Sequence, residues 1–268
     1  MFPQPYDLNH IHLRVGTDCS GIEAPLVALN LLKVNVSHKF SCDNDKYVKQ
    51  HILKFFEPEY FFDDIFNRDH NALPDIDLYV CGPPCQPWSM SNTLRQGFCD
   101  KGGTIVFQAI DTIKAKQPKF FILENVKGLV CHKQGKSLQC IKDELQKLEN
   151  YNVTYNMLNT KDFGIPQNRE RLYIIGVKDT VFTLNRIPIR CPPIRDFLDT
   201  TLLATREKCL IPRRQQALDN AIAKHNIDVR DDWIVTIAQS IGTYTRSMKD
   251  VCPTLTTYCS YYYVTSEQ

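Results

Sequence analysis

The chain has 268 residues, enough for one large α/β domain with a small appended region. Hydrophobic residues make up 43% of it, so a sizeable core can form, and the net charge of +2 neither requires nor excludes a nucleic-acid partner. The start lacks a secretory signal, and no apolar run approaches the roughly 18 residues of a membrane helix. The odd count of 11 cysteines favours reduced thiols in a cytosol-like compartment. No CxxC pair occurs, so we predict no metal site.

Short apolar runs alternate with helical patterns over most of the chain. The predicted strands are 12–16, 38–42, 77–81, 119–123, 153–158 and 171–177, and the predicted helices are 24–32, 46–56, 104–115 and 136–148. This alternation predicts an α/β fold with a doubly wound, mostly parallel sheet. The pattern ends near a proline-rich segment at 187–195. We therefore predict one domain over residues 1–185 and a smaller, irregular region over 186–268.

Two polar segments follow the first two predicted strands. Gly21 lies in the first turn, where it lets the backbone bend tightly. Asp43 follows the second strand, about 20 residues later, which is where nucleotide-binding sheets place an acid on ribose hydroxyls. The alternative is that Asp43 or Asp45 caps the next helix, and Asp45 is the better candidate. Further on, Asp64 could accept a hydrogen bond from an amine or be a solvated loop acid.

The segment Pro-Pro-Cys-Gln at 83–86 carries the strongest chemical signal. Pro83 and Pro84 each fix φ near about −65°, so Cys85 is held stiffly at a strand exit. Such exits are where parallel sheets place their chemistry, and the thiol is a candidate nucleophile. The alternative is a buried structural cysteine. The long loop at 86–103 indicates a mobile functional segment.

Two further segments carry charged side chains beside predicted strands. Glu124 follows an apolar strand, where a carboxylate suits proton transfer, although a helix cap or a solvated acid is an equal alternative. Arg169 and Arg171 alternate with Glu170, which predicts that both arginines lie on one strand face. Two guanidinium groups there suit phosphate or carboxylate binding, and a surface ion-pair ladder is the alternative.

Taken in this order, the segments resemble the S-adenosylmethionine-dependent cytosine-C5 methyltransferase family. The motifs that carry the resemblance are Pro-Pro-Cys-Gln at 83–86, Glu-Asn-Val at 124–126 and Gln-Asn-Arg-Glu-Arg at 167–171. The resemblance is dense over 12–180 and looser over 186–258. It implies a Rossmann-like methyltransferase fold with a small target-recognition region. It also implies a DNA (cytosine-5-)-methyltransferase acting on double-stranded DNA, from a restriction–modification system, a phage or a virus.

The resemblance assigns roles to the chemical groups. Cys85 would attack C6 of a flipped-out cytosine, so that C5 takes the methyl group and S-adenosylhomocysteine is released. Glu124 would contact N3 and the exocyclic amine. The implied catalytic residues are Cys85, Glu124, Arg169 and Arg171. The implied substrate-binding residues are Pro84, Gln86, Ser89, Asn125 and Thr254.

The cofactor, S-adenosyl-L-methionine, would be held by the carboxyl ends of the strands. The implied cofactor-binding residues are Asp18, Cys19, Ser20, Gly21, Ile22, Glu23, Asp43, Asn44, Asp64, Ile65, Pro83, Thr104 and Ile105. The sequence departs from the family here. The usual Phe-x-Gly-x-Gly reads Cys19-Ser-Gly-Ile-Glu23, and Asn44 stands where an aromatic residue is frequent.

Two family motifs that usually follow the recognition region do not occur before Gln268. This predicts either a truncated chain or a second polypeptide that supplies them. Residues 200–262 would read bases in the major groove. The implied location is the cytoplasm, near the nucleoid, or the nucleus or a viral setting in a eukaryotic system. Two other hypotheses remain open: a tRNA cytosine-C5 methyltransferase of the same fold, and a catalytically silent DNA-binding remnant.

Overall fold

The computed structural model describes residues 8–185, 187, 189–198, 216, 219–220, 222–228, 233–238, 245–255 and 259–264. The chain divides into two units by its internal contacts. The first comprises Met1–Met157 and Arg171–Asn185, and the second comprises Leu158–Glu170 and Arg186–Gln268. Much of the predicted recognition region, including 199–215 and 239–244, lies outside the described residues. Its role therefore stays a prediction.

Strands and helices alternate up to residue 145, and strands make up most of the elements that follow in both units. The strands are β1 (His12–Asp18), β2 (Asn35–Cys42), β3 (Tyr60–Phe62), β4 (Leu78–Cys81), β5 (Phe120–Val126), β6 (Tyr151–Asn159), β7 (Gln167–Asn168), β8 (Glu170–Lys178), β9 (Trp233–Ala238), β10 (Thr245–Lys249), β11 (Cys252–Pro253) and β12 (Cys259–Val264). The helices are α1 (Ala24–Leu31), α2 (Lys46–Phe55), α3 (Lys101–Lys116), α4 (Lys127–Cys131) and α5 (Lys136–Leu145).

Seven strands form one sheet in the order β3-β2-β1-β4-β5-β8-β6. The pairs from β3 through β5 are parallel, and β8 runs antiparallel to β5. The predicted α/β fold with a mostly parallel sheet is therefore confirmed. Chain order reverses between β1 and β4, which is where open α/β sheets place their ligands.

The core lies where the sheet packs against helices. Its largest buried side chains include Phe40, Tyr79, Phe121, Ile110 and Ile141. In the second unit, β9 pairs antiparallel with β10 and β12, and β7 pairs parallel with β11. Across the residues that the structure describes, no helix is both long and apolar enough to cross a membrane.

Two predicted element boundaries moved for identifiable reasons. Helix α3 begins at Lys101 instead of 104, because Asp100 caps it by accepting from the Gly102 amide at 2.7 Å. Strand β5 continues past Leu123 to Val126, because that stretch keeps pairing with β8 as far as Arg171.

An ion pair at the amino end of β1 predicts a pH-dependent stability. The Arg14 guanidinium bonds Asp77 at 3.0 and 3.3 Å and holds the pKa of that carboxyl well below its usual value. A lowered folded-state pKa stabilises the protein above the unfolded value of about 4, and the benefit is lost as the pH falls further. Asp77→Asn should lower the free energy of unfolding by about 1.5–3 kcal/mol near neutral pH.

Urea denaturation of both proteins near pH 7 and near pH 3 checks this. The gap between wild type and Asp77→Asn should be smaller in acid. An equal gap at both pH values would show that the ion pair does not supply the stability.

Candidate active site

Cys85 lies exposed at the exit of β4. Its carbonyl accepts from the amides of Trp88 at 3.0 Å and Ser89 at 2.8 Å, so the chain turns directly after the thiol. The side-chain amide of Asn125 donates to the carbonyl of buried Pro83 at 3.3 Å and ties this exit to β5. The alternative of a buried structural cysteine is therefore wrong.

Glu124 and Arg171 form an ion pair beside this exit. Arg171 Nε lies 3.0 Å from Glu124 Oε1, and the two side chains are 14% and 28% exposed. Glu124 lies inside β5 rather than after it, opposite Tyr173 of β8. A Cβ on Gly82, three residues before Cys85, would lie 3.9 Å from Glu124 Oε2. A carboxylate, a guanidinium and a thiol thus share one edge of the sheet.

Arg169 and Thr254 belong to the second unit. Arg169 lies between β7 and β8, so the expectation that it belongs to one strand with Arg171 is wrong. Its amide donates to Asn159 Oδ1 at 3.0 Å. The Thr254 hydroxyl donates to the Asn168 carbonyl at 2.8 Å and fixes β11 beside β7.

The loop that follows Cys85 is anchored at its base and exposed at its tip. Trp88 is buried and packs edge-on against Phe98 and His132, with ring centroids 4.9 and 5.1 Å away. Gly128 of α4 lies so close beneath that a Cβ there would be 2.2 Å from the Trp88 carbonyl oxygen. Gln86 is exposed, Pro84 and Ser89 are half-buried, and Met90 is 74% exposed. The predicted mobility of the 86–103 loop stays a prediction, and these contacts would limit it to the part between Trp88 and Phe98.

The turn after β1 is braced from the end of β2. Gly21 has φ 55°, in the left-handed region that suits glycine, and its amide donates to Asp43 Oδ2 at 3.1 Å. Asp45 caps α2 through the amides of Tyr47 and Val48, as predicted. Asp43 therefore does not cap the helix; it is half-buried and supports the glycine turn.

Two acids of this turn point into the protein. The Asp18 carboxylate accepts from Arg68 and from the Tyr79 hydroxyl, and its side chain is fully buried. Glu23 accepts from Thr17 at 2.7 Å and Ser41 at 2.6 Å and is likewise fully buried. A ligand in the turn would meet the backbone of Asp18 and Glu23, not their carboxylates.

The partners of these acids were missed by sequence reasoning. The four donors to these acids lie outside the motifs that carry the resemblance, and the fold brings each donor to its acid. They are Arg68, Tyr79, Thr17 and Ser41. The one local signal is strand alternation, which sends Thr17 and Asp18 to opposite faces of β1.

The other predicted cofactor residues follow strand ends or lie near the start of α3. Asp64 caps the short turn Ile65–Asn67 by accepting from the Phe66 amide at 3.0 Å, so it is not a free loop acid. The Ser20 hydroxyl donates to the Cys42 carbonyl at 3.2 Å, and that of Thr104 to the Lys101 carbonyl at 2.8 Å. Of the remainder, Ile65 is buried, Cys19 and Ile105 are half-buried, and Ile22 and Asn44 are exposed.

The chemistry of this edge fits an adenosine cofactor with an amino-acid tail. The Asp43 carboxylate accepts hydrogen bonds from two backbone amides, those of Gly21 and Asp45. Because a carboxylate has about four acceptor positions, it can still accept from ribose hydroxyls. Ile22, 71% exposed, offers apolar surface beside it. The left-handed Cys19 and Gly21 turn the backbone sharply between β1 and α1.

Sequence comparison identifies the class of protein. A model of the C-5 cytosine-specific DNA methylase family matches residues 19–249, most of the chain, and the chain belongs to this family. Orphan methyltransferase M.SPRI of Bacillus phage SPR is 40% identical over 169 residues, covering 62% of this chain and 38% of that protein. Type II methyltransferase M.NgoBI of Neisseria gonorrhoeae is 40% identical over 155 residues, covering 58% of this chain and 48% of that protein. The chain thus spans between a third and a half of these relatives.

Solved structures resemble the fold. The S. pombe Dnmt2 methyltransferase is 19% identical with a TM-score of 0.53, covering 70% of this chain and 60% of that chain. The Entamoeba histolytica methyltransferase EhMeth is 20% identical with a TM-score of 0.56 and the same coverage. At this identity the likeness supports the Rossmann-like methyltransferase fold alone.

Proposed function

We propose that this chain is a DNA cytosine-C5 methyltransferase that uses a covalent adduct between Cys85 and C6 of the target base. One observation carries the proposal: an exposed thiol on a proline-stiffened strand exit lies at the same sheet edge as the Glu124–Arg171 pair. An inert structural cysteine would be buried in apolar surroundings. Membership of the C-5 cytosine-specific DNA methylase family supports DNA as the substrate.

The geometry supports a different role for each of three side chains in the reaction. The Cys85 thiolate adds to C6, and the electron pair of the C5–C6 bond moves toward N3 and C5. Glu124 holds a proton at N3, and Arg171 fixes the direction of its carboxyl through the 3.0 Å contact. When bound, S-adenosylmethionine supplies the methyl group that C5 takes. A base then removes the C5 proton, the electron pair re-forms the double bond, and the Cys85 sulfur leaves C6.

We assign the cofactor to the edge formed by the ends of β1, β2 and β3. The turn around Gly21 would hold the methionine part through its backbone, and Asp43 would accept from the ribose hydroxyls. Asp64 and Ile65 would border the adenine, with Pro83, Thr104 and Ile105 along the opposite wall. Both acceptors and apolar surface are present there.

The target base must leave the duplex before Cys85 can reach its C6 atom. The tip of the loop after Trp88 is exposed at Met90 and would approach a DNA backbone, with Gln86 and Ser89 on either side of Trp88 at its base. Arg169 and Thr254 lie in the second unit, and the motif alone assigns Arg169 to catalysis and Thr254 to substrate binding. The comparisons give no support for a second polypeptide.

The role of Asp43 gives a prediction about cofactor affinity. Asp43→Ala removes the acceptor for ribose hydroxyls and the brace on the Gly21 amide, so binding of S-adenosylmethionine should weaken by about 1.5–3 kcal/mol. Isothermal titration calorimetry measures this. Asp45→Ala, which removes only the α2 cap, is the control and should leave affinity nearly unchanged. Unchanged affinity in Asp43→Ala would reduce Asp43 to a structural brace.

Methyl transfer can be tested directly with tritiated S-adenosylmethionine, cytosine-rich duplex DNA and tRNA in parallel. Label in DNA, with a covalent adduct on 5-fluorocytosine, is the expected result. Label in tRNA alone would replace the proposal with the tRNA methyltransferase. Cofactor binding without transfer to either substrate would favour the silent remnant.

A further inference from the structure

The turn at Cys19–Ile22 is bracketed by two buried acids on opposite faces of the sheet. Thr17 lies on one face with Glu23 and Ser41, and Asp18 lies on the other with Arg68 and Tyr79. The resemblance to the family predicts glycine where Glu23 stands. In this chain the turn is therefore held by side chains at both of its ends.

Arg68 makes the most extensive of these contacts. Its guanidinium binds both carboxylate oxygens of Asp18 and also donates to the Thr112 hydroxyl at 3.0 Å. The Arg68 side chain is 3% exposed and that of Asp18 is fully buried. A bidentate contact of this kind fixes the orientation of the carboxylate as well as its distance, which a lysine ammonium cannot do.

The pair also bridges three neighbouring strands of the sheet. Arg68 directly follows the turn Ile65–Asn67, while Asp18 ends β1, and β2 lies between β1 and β3 in the sheet order. The guanidinium passes over β2, with its carbon 5.2 Å from the Phe40 ring and 5.5 Å from the Phe62 ring. One ion pair therefore ties together the two backbone segments assigned to the methionine and adenine ends of the cofactor.

We propose that Arg68 is a positioning residue for the cofactor site, acting through Asp18 to set the spacing between the Cys19–Ile22 turn and the Ile65–Asn67 turn. This inference rests on the proposed function for its consequence, because the spacing matters only if both turns meet one cofactor. Arg68 itself is buried and does not touch that cofactor. A small displacement of either turn would weaken cofactor binding, because the cofactor would contact both turns at once.

The matched comparison is between Arg68→Lys and Arg14→Lys. Arg14 forms the same kind of two-pronged pair with Asp77, at the opposite end of the same strand, β1. Both variants keep the positive charge and lose the bidentate hydrogen bonding of the guanidinium group to its carboxylate. Arg68→Lys should weaken S-adenosylhomocysteine binding by about tenfold in calorimetry, and Arg14→Lys should leave it within about twofold. In turnover, KM for S-adenosylmethionine should rise in Arg68→Lys with kcat little changed.

Hydrogen exchange gives a readout that needs no cofactor. Amides of the 17–24 peptide should exchange faster in Arg68→Lys than in wild type, measured well below the melting temperature of each protein, and should not change in Arg14→Lys. Tyr79→Phe removes one hydrogen-bond donor to Asp18 and keeps the bidentate contact with Arg68. Amide exchange and S-adenosylhomocysteine affinity should therefore change in the same direction as in Arg68→Lys, but by less. If Arg68→Lys does not fold, Tyr79→Phe still tests the positioning role.

The outcomes separate the two proposals. Faster exchange in the turn together with weaker binding supports the positioning role. A lower melting temperature with unchanged turn exchange and unchanged affinity overturns it and leaves Arg68 as a stabilising residue. Wild type that fails to bind S-adenosylhomocysteine overturns the proposed function, and the exchange data then decide alone whether Arg68 holds the turn.

Discussion

Cys85→Ala is expected to abolish methyl transfer, by at least about 10⁴-fold, and to leave the fold intact. The side chain is exposed, and the hydrogen bonds that shape its turn are made by its backbone carbonyl, which alanine retains. Loss of activity would therefore report lost chemistry and not lost structure. Circular dichroism and calorimetric binding of S-adenosylhomocysteine should match wild type.

Covalent trapping sharpens the test of Cys85. Duplex DNA with 5-fluorocytosine at the target should form a stable adduct with wild type, because fluorine blocks loss of the C5 substituent. Cys85→Ala should form none. Cys99→Ala is a matched control, since Cys99 is another exposed cysteine on the same loop. If Cys85→Ala still forms the adduct, another nucleophile is responsible and the mechanism is wrong.

Glu124→Gln is expected to reduce kcat by about 10²–10⁴-fold. The amide keeps the shape of the side chain and can still accept from Arg171, but it cannot deliver a proton to N3. Adduct formation with 5-fluorocytosine should slow as well, since attack at C6 needs that proton. Single-turnover kinetics with a saturating cofactor measures both steps.

Glu144→Gln is the control for Glu124. Glu144 lies on α5 and pairs with Lys147 and Lys114, away from the sheet edge that carries Cys85. Its replacement should leave kcat unchanged. A Glu124→Gln enzyme with kcat within about threefold of wild type would remove Glu124 from the chemistry and leave it as a partner of Arg171.

The sheet was predictable because its signals are local. Strands such as β4 and β5 contain short apolar runs, and their positions were predicted to within a few residues. The five-residue helix α4 and the three-residue strand β3 are too short to show a period, so neither is among the elements that the pattern predicts. The placement of Cys85 followed from two adjacent prolines, which act on their own neighbours.

The bracing of the cofactor turn was not predictable because it is not local. Arg68 meets Asp18 across 50 residues, and only the order of strands in the sheet brings them together. Both Asp18 and Glu23 were read from motif as cofactor contacts, whereas their carboxylates bind the protein itself. Arg169 shows the same limit: alternation along the sequence could not reveal that β8 begins one residue later.

Under the proposed function, the close approach of Gly128 to Trp88 would have a consequence for how DNA is engaged. It places the base of the loop against the segment that directly continues β5, so Cys85 and Glu124 would keep their relative positions before a substrate binds. Movement of the loop tip then need not reassemble the reacting groups. Interaction energy between the loop tip and DNA would then be available for unstacking the target base.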